Sequence, residues 1–257
     1  MSKLIDRLEK VGTVAPAPMG FAAGRAAERA PALLMLALSG AKDAASTGLQ
    51  ADGCIISAAK ATKPQLKAAK QAMGDQLWGL WPGTANGVSL DQIKEQGGDF
   101  VVFSSVDTPA ELLADEELGR LIVIPIEFPE ELGHSLEDFP VDAVVVAGLE
   151  DASPLSVKAL MQVRAVRDLV AKPLLLLRAK PLNRGELVVL QDVGIQGLVV
   201  DCAKVAEEDA SRMAEDIKGL PPRRQKRDHA GALLPRVSSG SPAAHQHDDD
   251  DEEEDFD

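Results

Sequence analysis

Short apolar runs alternate with amphipathic segments along most of this chain. The clearest unit is Lys172 to Asp201, KPLLLLRAKPLNRGELVVLQDVGIQGLVVD. A wholly apolar run (174–177), an amphipathic stretch (182–193) and a second apolar run (198–200) read as strand, helix and strand. About thirty residues is the length of a right-handed βαβ crossover between parallel strands.

The same unit recurs upstream. Apolar runs at 32–38, 53–57, 77–81, 100–104, 121–126 and 143–147 predict six earlier strands. Polar or amphipathic stretches follow them: one through Leu49, then 64–73, 88–97, Thr108 to about Leu118, 130–136 and 153–171. Ser89, Thr108 and Ser153 stand where N-caps belong, Pro64, Pro109 and Pro154 suit first turns, and Gly97 is a stop. Pro125 marks a bulge or the end of its strand. The longest helix carries Leu155, Leu160, Val163, Val166 and Val170 as an inner stripe. A last acidic helix spans 203–217. Eight strands, each followed by a helix, predict a single (β/α)8 TIM barrel over residues 32–219. An open doubly wound sheet is the competing arrangement, because it needs no fixed strand count. Pro18–Phe21, counted as a strand, makes nine; assigned to an N-terminal helix and cover segment over 1–31, it leaves eight.

Composition sharpens this picture. Apolar residues make up 45% of the chain, with no Tyr, two Trp and six Phe, so the core must be aliphatic, as a helix-covered parallel sheet requires. The net charge of −14 is concentrated at the end, where nine of the last ten residues, DDDDEEEDFD, are acidic. Residues 220–257, basic at RRQKR and then strongly acidic, read as a disordered tail. Within them 232–237 (ALLPRV) is apolar enough to dock on the barrel or on a protein partner. A mildly acidic body argues against nucleic-acid binding, which needs clustered positive charge. Cys54 and Cys202 offer neither a disulfide framework nor a metal spacing and read as small buried hydrophobes. With no long apolar run and a charged amphipathic start, MSKLIDRLEK, the expectation is a cytoplasmic protein without membrane attachment.

In such a barrel, chemistry sits on the loops after the carboxyl ends of the strands. Those positions supply Ser39, Lys42, Ser57, Lys60, Trp81, Gly83, Ser104, Ser105, Asp107, Glu127, Glu150, Asp151, Arg178, Lys180, Asp201 and Lys204. Glu127 suits a general acid or base, or alternatively a structural ion pair. Arg178 and Lys180 suit an anion such as a carboxylate or phosphate, with Asp201 orienting them; alternatively these charges close the mouth as ion pairs. Lys60 or Lys180 qualifies for a Schiff base if desolvated, and Ser57 and Ser104 are candidate ligand contacts. The four histidines (134, 229, 245, 247) lie away from strand ends, so neither a metal site nor a Ser-His-Asp triad is expected. No GxGxxG or GxxxxGK[ST] motif names a cofactor.

Ala17-Pro18-Met19-Gly20 resembles the start of the first strand in flavin-dependent barrel oxidoreductases, over four residues. A flavin phosphate in such barrels is gripped by glycine-rich loops after strands seven and eight; here RAKPLNRGE has only Gly185 and DCAKVAEED has no glycine. The repeated units resemble the aldolase-type barrel superfamily, which implies an architecture rather than an activity. The leading expectation is a barrel binding a small anionic metabolite for lyase or isomerase chemistry. The alternatives are a non-catalytic scaffold working through its tail and, third, a flavin oxidoreductase.

Overall fold

The computed structural model describes residues 2–12, 30–40, 51–57, 63–82, 90–104 and 110–221. They form a closed barrel of eight parallel strands in sequence order: β1 (Leu34–Gly40), β2 (Gly53–Ser57), β3 (Leu77–Trp81), β4 (Phe100–Ser104), β5 (Gly119–Pro125), β6 (Ala143–Ala147), β7 (Leu174–Arg178) and β8 (Gly197–Asp201). β1 pairs with β8 through Leu38↔Asp201, which closes the ring. Closure settles the choice against an open sheet. The expected disordered tail, the Pro18–Phe21 segment and the helix after the first strand lie outside the described residues. The barrel belongs to the unit Met1–Arg224, and residues 225–257 lie outside the described residues.

Helices follow the strands: α2 (Lys63–Met73), α3 (Leu90–Glu95), α4 (Glu130–Asp138), α5 (Val157–Leu169), α6 (Arg184–Val193) and α7 (Glu207–Lys218). One expectation fails. The predicted helix from Thr108 to Leu118 is reduced, among the described residues, to a five-residue 3-10 turn at Ala110–Ala114. The run Asp115-Glu116-Glu117 supplies carboxylates where a helix C-terminus favours cations; Asp115 instead accepts from the amides of Glu117 and Leu118 and turns the chain into β5. The predicted start of α5 also moves. Ser156, not Ser153, is its N-cap, accepting from the Ala159 amide at 3.1 Å.

The strands alternate between two apolar layers. Leu34, Leu36, Ile55, Phe100, Val102, Leu121, Val145, Leu175 and Val199 fill the barrel interior. Met35, Ile124, Val144, Val146, Leu174, Leu176 and Leu198 face outward against the helices. Phe100 fits because its β3 neighbour is Gly79, where a Cβ would collide with the Phe100 ring.

The bottom of the barrel is stoppered by α1 (Lys3–Lys10), whose Leu4 and Leu8 are fully buried in the interior cluster. Asp99, just before β4, holds the start of that helix. Its carboxylate accepts from the Ser2 hydroxyl and from the Lys3 and Leu4 amides at 2.7–2.9 Å. Free amides at a helix N-terminus need such acceptors, and the dipole favours a negative charge there.

Candidate functional site

Alternation along each strand decides what points into the mouth. Extending the interior parity of Ile55, Val102 and Val199 by one step brings Ser57, Ser104 and Asp201 to inward positions in the last layer. Leu38 and Ala147 share that cluster's inner face, as does Trp81. Among the described residues the barrel interior is therefore apolar through its depth, and polar side chains join apolar ones at its carboxyl-end rim. Pairing sets the order around the rim: Asp201 is level with Leu38, Ser57 with Gly40 and with Trp81, and Ser104 with Val123.

Asp201 is half-buried. One oxygen accepts from the Ala203 amide at 3.1 Å, and the other lies 3.8 Å from the Lys204 ammonium. Ser57 is exposed and Ser104 half-buried. Lys180 is exposed just past β7, and Glu127 is exposed two residues past β5. Lys42, Lys60, Gly83, Ser105 and Asp107 lie outside the described residues. His134 is exposed on α4.

Arg178 is placed differently from the expectation. It is the last residue of β7, in phase with Leu174 and Leu176, and it is fully buried. Its two amino groups donate to the Leu149 and Ala152 carbonyls, the second at 2.5 Å. Its Nε, also buried, has no hydrogen-bond partner. Burial pushes its pKa below the ordinary arginine value, against the opposing pull of Glu186, Glu150 and Asp151. With both amino groups committed to main-chain carbonyls, Arg178 ties the loop after β6 to β7 and does not stand beside Lys180 at the rim.

Other bonds bind the same loop. The Ala179 amide donates to the Glu150 carbonyl at 2.9 Å, and the Glu150 carboxylate accepts from the Gly148 amide at 2.9 Å. Asn183 and Glu186 form a capping box at the start of α6, and Glu186 also accepts from the Leu155 amide at 2.7 Å. This wall escaped the sequence reading, although Asn183-x-x-Glu186 is a capping-box signature. At β8 the neighbouring α7 begins with Glu207, Glu208 and Asp209, which repel an anion from that helix N-terminus. Among the described residues, no three His, Cys, Asp or Glu gather as a metal-binding group, and no helix is long and apolar enough to cross a membrane.

No protein-family model and no curated protein matches the chain. Solved structures do. A mutant tryptophan synthase α-subunit from Pyrococcus furiosus is 15% identical, with TM-score 0.55, over 74% of this chain and 99% of that one. A thiamine phosphate pyrophosphorylase from Pyrococcus furiosus is 14% identical, with TM-score 0.51, over 73% of this chain and 96% of that one. At such identities the likeness is one of fold, and it places this chain's architecture among the (β/α)8 TIM barrels.

Proposed function

We propose that the barrel binds a small anionic metabolite at its carboxyl-end mouth and acts on it as a lyase or isomerase. The observation that carries this reading is the mixed last layer, in which Ser57, Ser104 and Asp201 take inward positions level with Trp81, Val123 and Leu38 above an apolar interior. Polar groups converging over an apolar floor orient a ligand, while the floor excludes water. Lys180, exposed and without an ion-pair partner among the described residues, supplies the positive charge at the rim. Asp201 serves as acid or base, with the Lys204 ammonium 3.8 Å from its carboxylate. Glu127 is a second carboxylate on the far side of the rim.

Thermal shift of the full chain tests this, with inorganic phosphate, citrate and a panel of phosphorylated sugars and keto and amino acids as probes. At least one anion should raise the melting temperature of the parent protein, and Lys180→Ala and Asp201→Asn should each abolish that shift without changing the unliganded melt. No shift with any anion, or a shift that both variants retain, defeats the reading.

A second reading, a non-catalytic scaffold, draws support from Arg178, whose guanidinium is spent on the β6–α5 loop instead of a ligand. A protein partner captured by the full chain, with no anion-induced shift, is its expected signature.

A further inference from the structure

Among the described residues, the helix ring around the barrel has a gap beside β5. Each outward strand face needs two flanking helices, but the β4–β5 connection contributes only the 3-10 turn at Ala110–Ala114 among the described residues. What it leaves is an open apolar groove of about 490 Å³, lined chiefly by Ile122, Pro125, Phe128, Leu132, Leu136 and Phe139. All of these come from β5, α4 and the loop between them, so the β4 side has no described wall. Leu132 on α4 is 53% exposed and Phe139, its C-cap, 42%, unusual for neighbouring side chains of that size. Leu132, Ser135 and Leu136 follow the i, i+3, i+4 spacing of a helix face made for packing, and Phe139, the C-cap, closes the groove's end.

Charge tells what the groove fits. Glu131 and Asp138, seven residues apart, flank this stripe on its solvent side, and Glu127 stands at its upper end; all three are exposed. None has an ion-pair partner among the described residues. The nearby cations are committed elsewhere. Lys172 donates to the Phe139 and Val141 carbonyls, and Arg120 is held by Asp142 and the Leu113 carbonyl. Two copies of such an acidic-lipped groove repel one another face to face. We propose that the groove receives an amphipathic helix of a partner protein, apolar along its seam and lysine- or arginine-rich on its flank, which takes the place of the missing barrel helix. The nine residues of α4 give the groove a length of about 14 Å, some two and a half turns of the incoming helix. This surface lies outside the mouth and shares only Glu127 with the proposed reaction, so its test rests on Leu132, Glu131 and Asp138.

The test is fluorescence anisotropy on the full chain with two synthetic 14-residue peptides. Both carry leucines at i, i+3, i+4 and i+7; one is flanked by lysines and the other by glutamates. The lysine peptide should bind at least tenfold more tightly, and its advantage should shrink as salt is raised. Leu132→Glu should abolish its binding, and the double variant Glu131→Lys/Asp138→Lys should reverse the preference toward the glutamate peptide. These positions are exposed, so thermal melting should be unchanged and a loss of binding is not a loss of fold. Lysine-peptide binding that survives both variants is attraction to the acidic terminal run and overturns the proposal. So does a concentration-dependent dimer in sedimentation that Leu132→Glu removes, because the groove then belongs to a second copy.

Discussion

The Ser2 hydroxyl donates to the Asp99 carboxylate at 2.7 Å across 97 positions of sequence. This bond, with those from the Lys3 and Leu4 amides, fixes where α1 enters the barrel floor. Gly119 keeps the place open, since a Cβ there would lie 2.6 Å from the Ser2 hydroxyl oxygen. Asp99→Asn keeps the shape and removes the charge that the helix dipole favours. It should cost about 1–2 kcal/mol, roughly 2–8 °C of melting temperature. Leu8→Ala, which opens a cavity beneath the interior layer, should cost more, about 2–5 kcal/mol. Denaturant unfolding of the two variants checks the order, and a harmless Leu8→Ala would show that the stopper contributes nothing to barrel stability.

Arg178 sets the second expectation. Its amino groups satisfy two carbonyls of the loop after β6, and its charge is desolvated on the outer side of β7. Arg178→Met leaves the Ala152 carbonyl without its donor and the Leu149 carbonyl with only the Ala152 amide at 3.3 Å, and should destabilise the fold by about 2–4 kcal/mol. Arg178→Lys offers a single point of donation in place of a fork and should restore less than half of that. Hydrogen exchange should localise the loosening to 148–156, the segment that Arg178 and Glu186 pin together. Protection of the Leu155 amide, held by Glu186, is the most direct readout.

How much of this was legible follows from the same residue. The eight strands are readable because each is a short apolar run bounded by polar residues; four of them, β2, β3, β4 and β6, lie where the runs predict, and β7 extends one residue past its run. Their phase was not readable. In a parallel strand buried on both faces, Leu174–Leu177 carry no alternation to show which side chains point inward. Arg178 therefore looked like a rim residue beside Lys180, when it is a strand residue facing out. Ser57, Ser104 and Asp201 lie at strand ends, as expected, because strand ends can be located without knowing phase. Asp99 gave no local signal at all, since its partners are at the other end of the chain's first hundred residues. The gap beside β5 was masked by Thr108 and Pro109, a good helix start that ends in carboxylates.

Acid should loosen the connection into β5. Burial pushes the Asp115 carboxyl up, but its bonds to Lys94 and to the Glu117 and Leu118 amides together outweigh that and hold it below its ordinary value. A carboxylate with a depressed folded pKa adds stability above its unfolded value, near 4, and that contribution is lost as pH falls through the lower folded value. Unfolding followed from pH 6 to pH 2 should show a steep acid limb below about pH 4, and Asp115→Asn should flatten it. An unchanged acid limb in Asp115→Asn would place the acid sensitivity elsewhere.

The two thiols should be silent in the folded protein. Cys54 is buried beside Ser39, and burial raises its pKa despite the Ser39 hydroxyl. Burial pushes Cys202 up to about 12, with Cys54 and Asp201 adding to the effect. Because only the thiolate attacks an alkylating reagent, a thiol with that pKa is ionised at pH 8 on the order of one molecule in ten thousand, against roughly one in four for a free cysteine. Iodoacetamide at pH 8 should therefore leave both unmodified by mass spectrometry over a time that labels a free cysteine peptide completely, and denaturant should expose both. Cys202 is only half-buried, so it decides the matter. Rapid labelling of the native chain at Cys202 would mean that its sulfur meets solvent and a nearby cation rather than the apolar layer around β8.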